Sequence, residues 1–91
     1  MGAVADRIHD KLMAAFSLDR IDLVDDSEAH RGHAGHREGG ESHFSLAIVS
    51  AAFAHKTRVE RQRMVNTALA EELAGPVHAL SITALAPGEG A

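Results

Sequence analysis

The stretch FSLAIVSAAFAHKTRVERQRMVNTALAEELAGPVHALSITAL, residues 44–85, decides the fold. Phe44, Leu46 and Ile48 alternate with Ser45, Ala47 and Val49, the period-two pattern of a strand whose start is set by Ser42-His43. After a short connection holding Phe53, Thr57 has Glu60 three residues on. That spacing is a capping box, in which each side chain bonds the other residue's backbone N–H at a helix start. Met64, Val65, Ala68, Leu69 and Leu73 recur at helical steps and form the buried stripe. Gly75 fits a left-handed helix end, and Pro76 blocks continuation. His78, Leu80, Ile82 and Ala84 then share one face of another strand, opposite Ala79, Ser81 and Thr83. A strand–helix–strand unit crosses over right-handedly, so its two strands are parallel when adjacent.

Upstream, residues 20–24 alternate, with Ile21 and Leu23 on one side and Asp22 on the other. This strand joins the next without a helix, so the two can pair antiparallel. Residues 3–16 place Ile8, Leu12, Ala15 and Phe16 at helical spacing, with Asp6, Arg7, Asp10 and Lys11 on other faces. The order is therefore α-β-β-α-β. A three-stranded mixed sheet with both helices on one face buries every apolar stripe, which makes an α+β domain. One domain is expected over residues 1–86. Within it, residues 25–41 lose periodicity and read as a mobile loop rich in histidine and glycine. A disordered tail is expected over residues 87–91.

The 91 residues include no cysteine, and 45% are hydrophobic, so one modest core forms by apolar packing alone. Nine basic against thirteen acidic residues give a net charge of −4. That balance disfavours a general nucleic-acid binder, which needs a basic face, although it permits a local patch. No apolar run is long enough to span a bilayer. The first residues show no apolar signal segment, so the cytoplasm is the expected location. Catalysis finds no support: there is no cysteine nucleophile, serine elbow or phosphate-binding glycine motif. Ser42 beside His43 reads as adjacency along a strand, where neighbours face opposite sides. A non-enzyme is expected.

Seven histidines remain to be explained. His30, His33 and His36 form H-x-x-H-x-x-H in the glycine-rich loop. Imidazole is the commonest protein metal ligand, yet a closed structural zinc site wants four ligands, usually with thiolate. The spacing alone fits a solvated loop as well as a metal site. By strand parity His78 sits with Leu80 and Ile82 at the sheet's end, partly shielded but reachable. On the residues alone, a hydrogen-bonded core histidine accounts for it. His43 has the parity opposite to Phe44 and reads as a sheet-face residue with a structural hydrogen bond. His9 and His55 carry no functional expectation.

The run Glu41-Ser42-His43-Phe44, then Val49-Ser50, Phe53, Arg63-Met64-Val65, Leu69-Ala70-Glu71-Glu72-Leu73 and Pro76-Val77-His78-Ala79-Leu80, resembles the BolA family. Asp25-Asp26-Ser27 with His30 is similar to the family's loop entry. The likeness covers residues 7–85, and its weight lies in many modest motifs in order. The family fold is a KH-like (type II) α+β domain, in agreement with the arrangement above. Two departures stand out. The loop between His30 and Glu41 is longer than usual and carries extra histidines, and Gln62 replaces a histidine common between two arginines.

The resemblance implies a monothiol (CGFS) glutaredoxin as partner. A [2Fe–2S] cluster would be shared with that glutaredoxin and its glutathione, which supply thiolates, in iron–sulfur assembly, trafficking or iron sensing. This chain would supply imidazole from His78 and from one loop histidine, His30 first and His33 or His36 otherwise. No cofactor is then expected in the isolated chain, which would be a monomer or weak homodimer. Metal ligation needs neutral imidazole, so cluster binding should weaken in acid. The family's alternative is duplex-DNA binding for transcriptional control in stress and morphology, through the second helix. Lys56, Arg58, Arg61 and Arg63 would contact phosphates there. RNA binding of the usual KH kind is not expected, because no GXXG loop lies between helices.

Overall fold

A computed structural model of the chain describes residues 2–26 and 42–89. The elements are α1 (Ala3–Ala15), β1 (Leu18–Asp25), β2 (His43–Ser50), a 3-10 turn (Ala51–Phe53), α2 (Arg58–Ala68), α3 (Ala70–Ala74) and β3 (Ala79–Leu85). β2 is the central strand, antiparallel to β1 and parallel to β3. The α+β class and the α-β-β-α-β order hold, with the second helix in two pieces. No helix among the described residues is long and apolar enough to cross a membrane.

Alternation along β2 fixes which face is covered. Phe44, Leu46 and Ile48 are buried and join Ala5, Ile8 and Leu12 of α1 and Val65 of α2 in one core, with Leu69 beyond it. Leu80, Ile82 and Ala84 of β3 and Ile21 and Leu23 of β1 pack against the same cluster half-buried. Phe53 is fully buried, its ring centre 5.1 Å from that of Phe16 in a tilted aromatic pair. Ser50, also buried, donates to the Ser17 carbonyl and accepts from the Ala52 N–H, which closes the 3-10 turn. The capping box is formed: Glu60 N–H donates to Thr57 Oγ1 at 3.1 Å and Thr57 N–H to Glu60 Oε1 at 2.7 Å.

Four local features differ from the sequence expectation. β1 starts at Leu18, before residue 20, with a register irregularity between Leu18 and Arg20. The second helix opens at Leu69 (φ −107°, ψ 20°), although the bonds Leu69 N–H to Val65 O and Leu73 N–H to Leu69 O keep its apolar stripe in line. Gly75 is not left-handed (φ −113°, ψ −111°). Pro76 restricts the residue before it, and the Glu72 carbonyl ends the helix by accepting from both Gly75 and Val77. Residues 87–89, expected as part of a disordered tail, form a turn in which Glu89 N–H bonds Ala86 O.

Glu72 ties α3 to α1. Its side chain is fully buried, with Arg7 Nη2 at 2.9 Å and Lys11 Nζ at 2.9–3.0 Å from its oxygens. Burial pushes its carboxyl up, but bonds from Lys11, its own backbone and Arg7 outweigh that and hold it below the ordinary value. The stabilisation is therefore complete above the usual glutamate value of about 4.3 and is lost as pH falls through the lower folded value. Thermal melts followed by circular dichroism check this. At pH 7 Glu72→Gln should melt roughly 5–10 °C lower, about 1–2 kcal/mol for a domain of this size. The gap to the parent chain should narrow below about pH 4. Equal melting temperatures at pH 7 would show the ion pairs to be idle.

Candidate functional site

Parallel strands begin at the same edge of a sheet, so the pairing of β2 with β3 brings two distant segments together. The register sets His43 against Ala79 and Phe44 against Leu80. His43 thus lies beside the segment that carries His78, and their ring centres are 6.2 Å apart at 40°. His78 is exposed, whereas His43 is half-buried. Between them sits Ser42, fully buried. Its carbonyl accepts from both His78 N–H (2.8 Å) and Ala79 N–H (3.2 Å), and its Oγ lies 2.9 Å from His43 Nδ1.

Two sequence expectations are corrected here. His78 is not on the strand face with Leu80 and Ile82. Its N–H bonds a carbonyl outside β2, the ladder starts at Ala79, and the side chain is exposed rather than partly shielded. Ser42 and His43 do not face apart, because Ser42 precedes the strand and its hydroxyl reaches the neighbouring ring. His43 does have the parity opposite to buried Phe44, and its structural hydrogen bond is present. Its place beside His78 escaped the sequence reading. The signal was there: both histidines stand at the starts of strands expected to be parallel.

His30, His33 and His36 lie outside the described residues. The described residues that flank residues 27–41 are at this same end of the sheet. Asp26 N–H donates to His43 O at 2.7 Å, and the Ser45 hydroxyl bonds the Asp26 carboxylate.

The imidazole pair suits a shared metal. Two imidazoles on one tetrahedral ion, with metal–nitrogen bonds of about 2.0–2.1 Å, have ring centres roughly 5 Å apart, so this pair closes by about 1 Å on taking one. Neutral nitrogen donors fit borderline metals such as iron and zinc. Among the described residues no group of three or more histidine or carboxylate ligands is gathered. The pair therefore offers half of a tetrahedral set, within reach of solvent.

The four basic residues read as one patch divide between two places. Lys56, Arg58 and Arg61 line a cleft of about 430 Å³ against β3, shared with Glu89. Arg63 instead lines a separate apolar groove with Phe16 and Met64. Arg61 is largely withdrawn, its side chain only 12% exposed. It grips Glu89 through both terminal nitrogens (2.5 and 3.0 Å) and also donates to the carbonyls of Ala84 and Lys56. That guanidinium and the Ala86 N–H hold the Glu89 carboxyl down to about 2. Lys56 and Arg58 remain as the exposed cations of the cleft.

Known proteins resemble the chain in sequence and fold. A family model described as BolA-like protein matches residues 12–89. Human BolA-like protein 1 is 40% identical over 89 residues, covering 98% of this chain and 62% of its own length. The DNA-binding transcriptional regulator BolA of Escherichia coli is 40% identical over 79 residues, covering 87% of this chain and 71% of its own. The solved BolA domain of SufE1 from Arabidopsis thaliana superposes with a TM-score of 0.86 at 38% identity, covering 98% of each chain. The chain thus spans about three fifths of the human relative's length. On this matching of sequence and fold, the chain belongs to the BolA-like family.

Proposed function

We propose that this chain donates histidine ligands to a [2Fe–2S] cluster bridged to a monothiol glutaredoxin, in iron–sulfur assembly, trafficking or iron sensing. The observation that carries the reading is the pair His43 and His78 at one open end of the sheet. A chain without cysteine must take its sulfur ligands from another molecule, and a glutaredoxin with bound glutathione provides two thiolates. His78 is the first ligand. His43 is the second by position, and His30 of the loop is its competitor, followed by His33 and His36. When bound, such a cluster would carry imidazole on one iron and thiolate on the other, which raises its reduction potential above that of an all-thiolate centre. The chain's own part is to present two imidazoles where β2 and β3 start, with backbone and hydroxyl bonds fixing their approach.

Mixing the chain with a cluster-loaded monothiol glutaredoxin tests this. Visible absorption and circular dichroism should change on mixing, and His78→Ala should abolish the change. His43→Ala should abolish it as well, whereas His30→Ala should do so only if the loop supplies the second ligand. An unaltered spectrum on mixing, or the full change with His78→Ala, would refute the reading.

The name of the Escherichia coli relative favours duplex DNA as a second reading. In this chain the start of α2 offers Lys56 and Arg58, with Arg61 neutralised by Glu89 and Arg63 lining another groove. Each phosphate neutralised adds about −0.9 to the slope of log affinity against log salt. We expect duplex binding at low salt to be weak, with a slope no steeper than about −2. A slope near −4 would restore all four residues as contacts and favour the regulator.

A further inference from the structure

We propose that Ser42 is the positioning residue of the imidazole pair: its buried hydroxyl accepts the Nδ1–H of His43 and so presents Nε2 as the lone-pair nitrogen, while its carbonyl holds the backbone that carries His78. The inference rests on the reading of His43 and His78 as metal ligands and deepens it.

Three hydrogen bonds meet at this one residue. The hydroxyl oxygen is 2.9 Å from His43 Nδ1, and the carbonyl accepts the N–H groups of both His78 and Ala79. The residue is fully buried, where a hydroxyl that made no bonds would cost about 1–3 kcal/mol. Its bond to the ring determines what His43 can do. A neutral imidazole carries one proton, so one nitrogen donates and the other accepts. Nδ1 faces the buried oxygen, and Nε2, on the far side of the ring, is the nitrogen turned away from it. Were Ser42 the donor, the proton would sit on Nε2 and close it to a metal. With Ser42 as acceptor, Nδ1 holds the proton and Nε2 keeps its lone pair. Ligating histidines characteristically donate their second ring N–H to an oxygen in this way.

The carbonyl bonds give the same residue a hold on the partner ring. They seat the segment at His78 beside the start of β2, where its exposed side chain meets His43. One buried serine thus sets the chemical state of one imidazole and the position of the other. A site held in this manner leaves only a side-chain closure of about 1 Å for the metal to bring about.

Ring ¹⁵N spectra of the metal-free full chain test the assignment. His43 should show a pyrrole-like Nδ1 and a pyridine-like Nε2. Ser42→Ala should shift His43 toward the Nε2–H form, and Ser42→Thr, which keeps the hydroxyl, should restore the parent pattern. Zinc ion alone, titrated while the His43 and His78 rings are observed, should perturb both. Ser42→Ala should weaken that binding by about 10–100-fold. An Nε2–H form in the parent chain overturns the proposal without any variant, and so does an unchanged tautomer in Ser42→Ala. The expected tautomer with both rings unmoved by zinc would instead sink the metal reading, and the positioning role with it. The two failures are read from different signals.

Discussion

Parallel pairing of β2 with β3 is the constraint on which the site depends. Histidines 35 positions apart in sequence come within one side-chain diameter because both strands start at the same edge and because His43 is opposite Ala79. A shift of one residue would turn Phe44, Leu46 and Ile48 out of the core, so the hydrophobic pattern that holds the domain together also fixes the spacing of the imidazoles. Ser42 adds the fine adjustment at the point where the two segments meet.

Much of the scaffold could be read from local pattern. The capping box at Thr57 and Glu60 involves neighbours along the chain, and its partners are three residues apart. The alternation of β2 and the helix between two strands imply a parallel crossover, which the fold contains. Features set by distant partners could not be read in that way. Arg61 looked like one member of an exposed basic patch, but Glu89, 28 residues away, holds it against the end of β3. The same bond orders a turn that glycine content alone marked as disordered. His78 was counted into the strand's parity, while the ladder begins one residue later. His43 was left aside because only the register of two strands shows what stands next to it.

Two groups of ion pairs tie elements of this acidic chain together. Lys11 and Arg7 are turned to Glu72 beneath α1, and Arg61 to Glu89 beside α2. These pairs join elements whose apolar contacts are limited by the small size of the domain. Where β2 and β3 start lie two imidazoles and a seryl hydroxyl. Two imidazoles without a thiolate make an incomplete coordination set, and that incompleteness is the physical ground for seeking the remaining ligands on a partner.

Pulsed electron paramagnetic resonance on the reduced cluster, bridged between this chain labelled with ¹⁵N-histidine and an unlabelled monothiol glutaredoxin, reads the metal–nitrogen bonds themselves. The account predicts strong ¹⁵N couplings from two imidazoles on one iron, absent when either His78→Ala or His43→Ala replaces the parent chain. A reduced cluster with no strongly coupled ¹⁵N, or couplings that survive both substitutions, would contradict it.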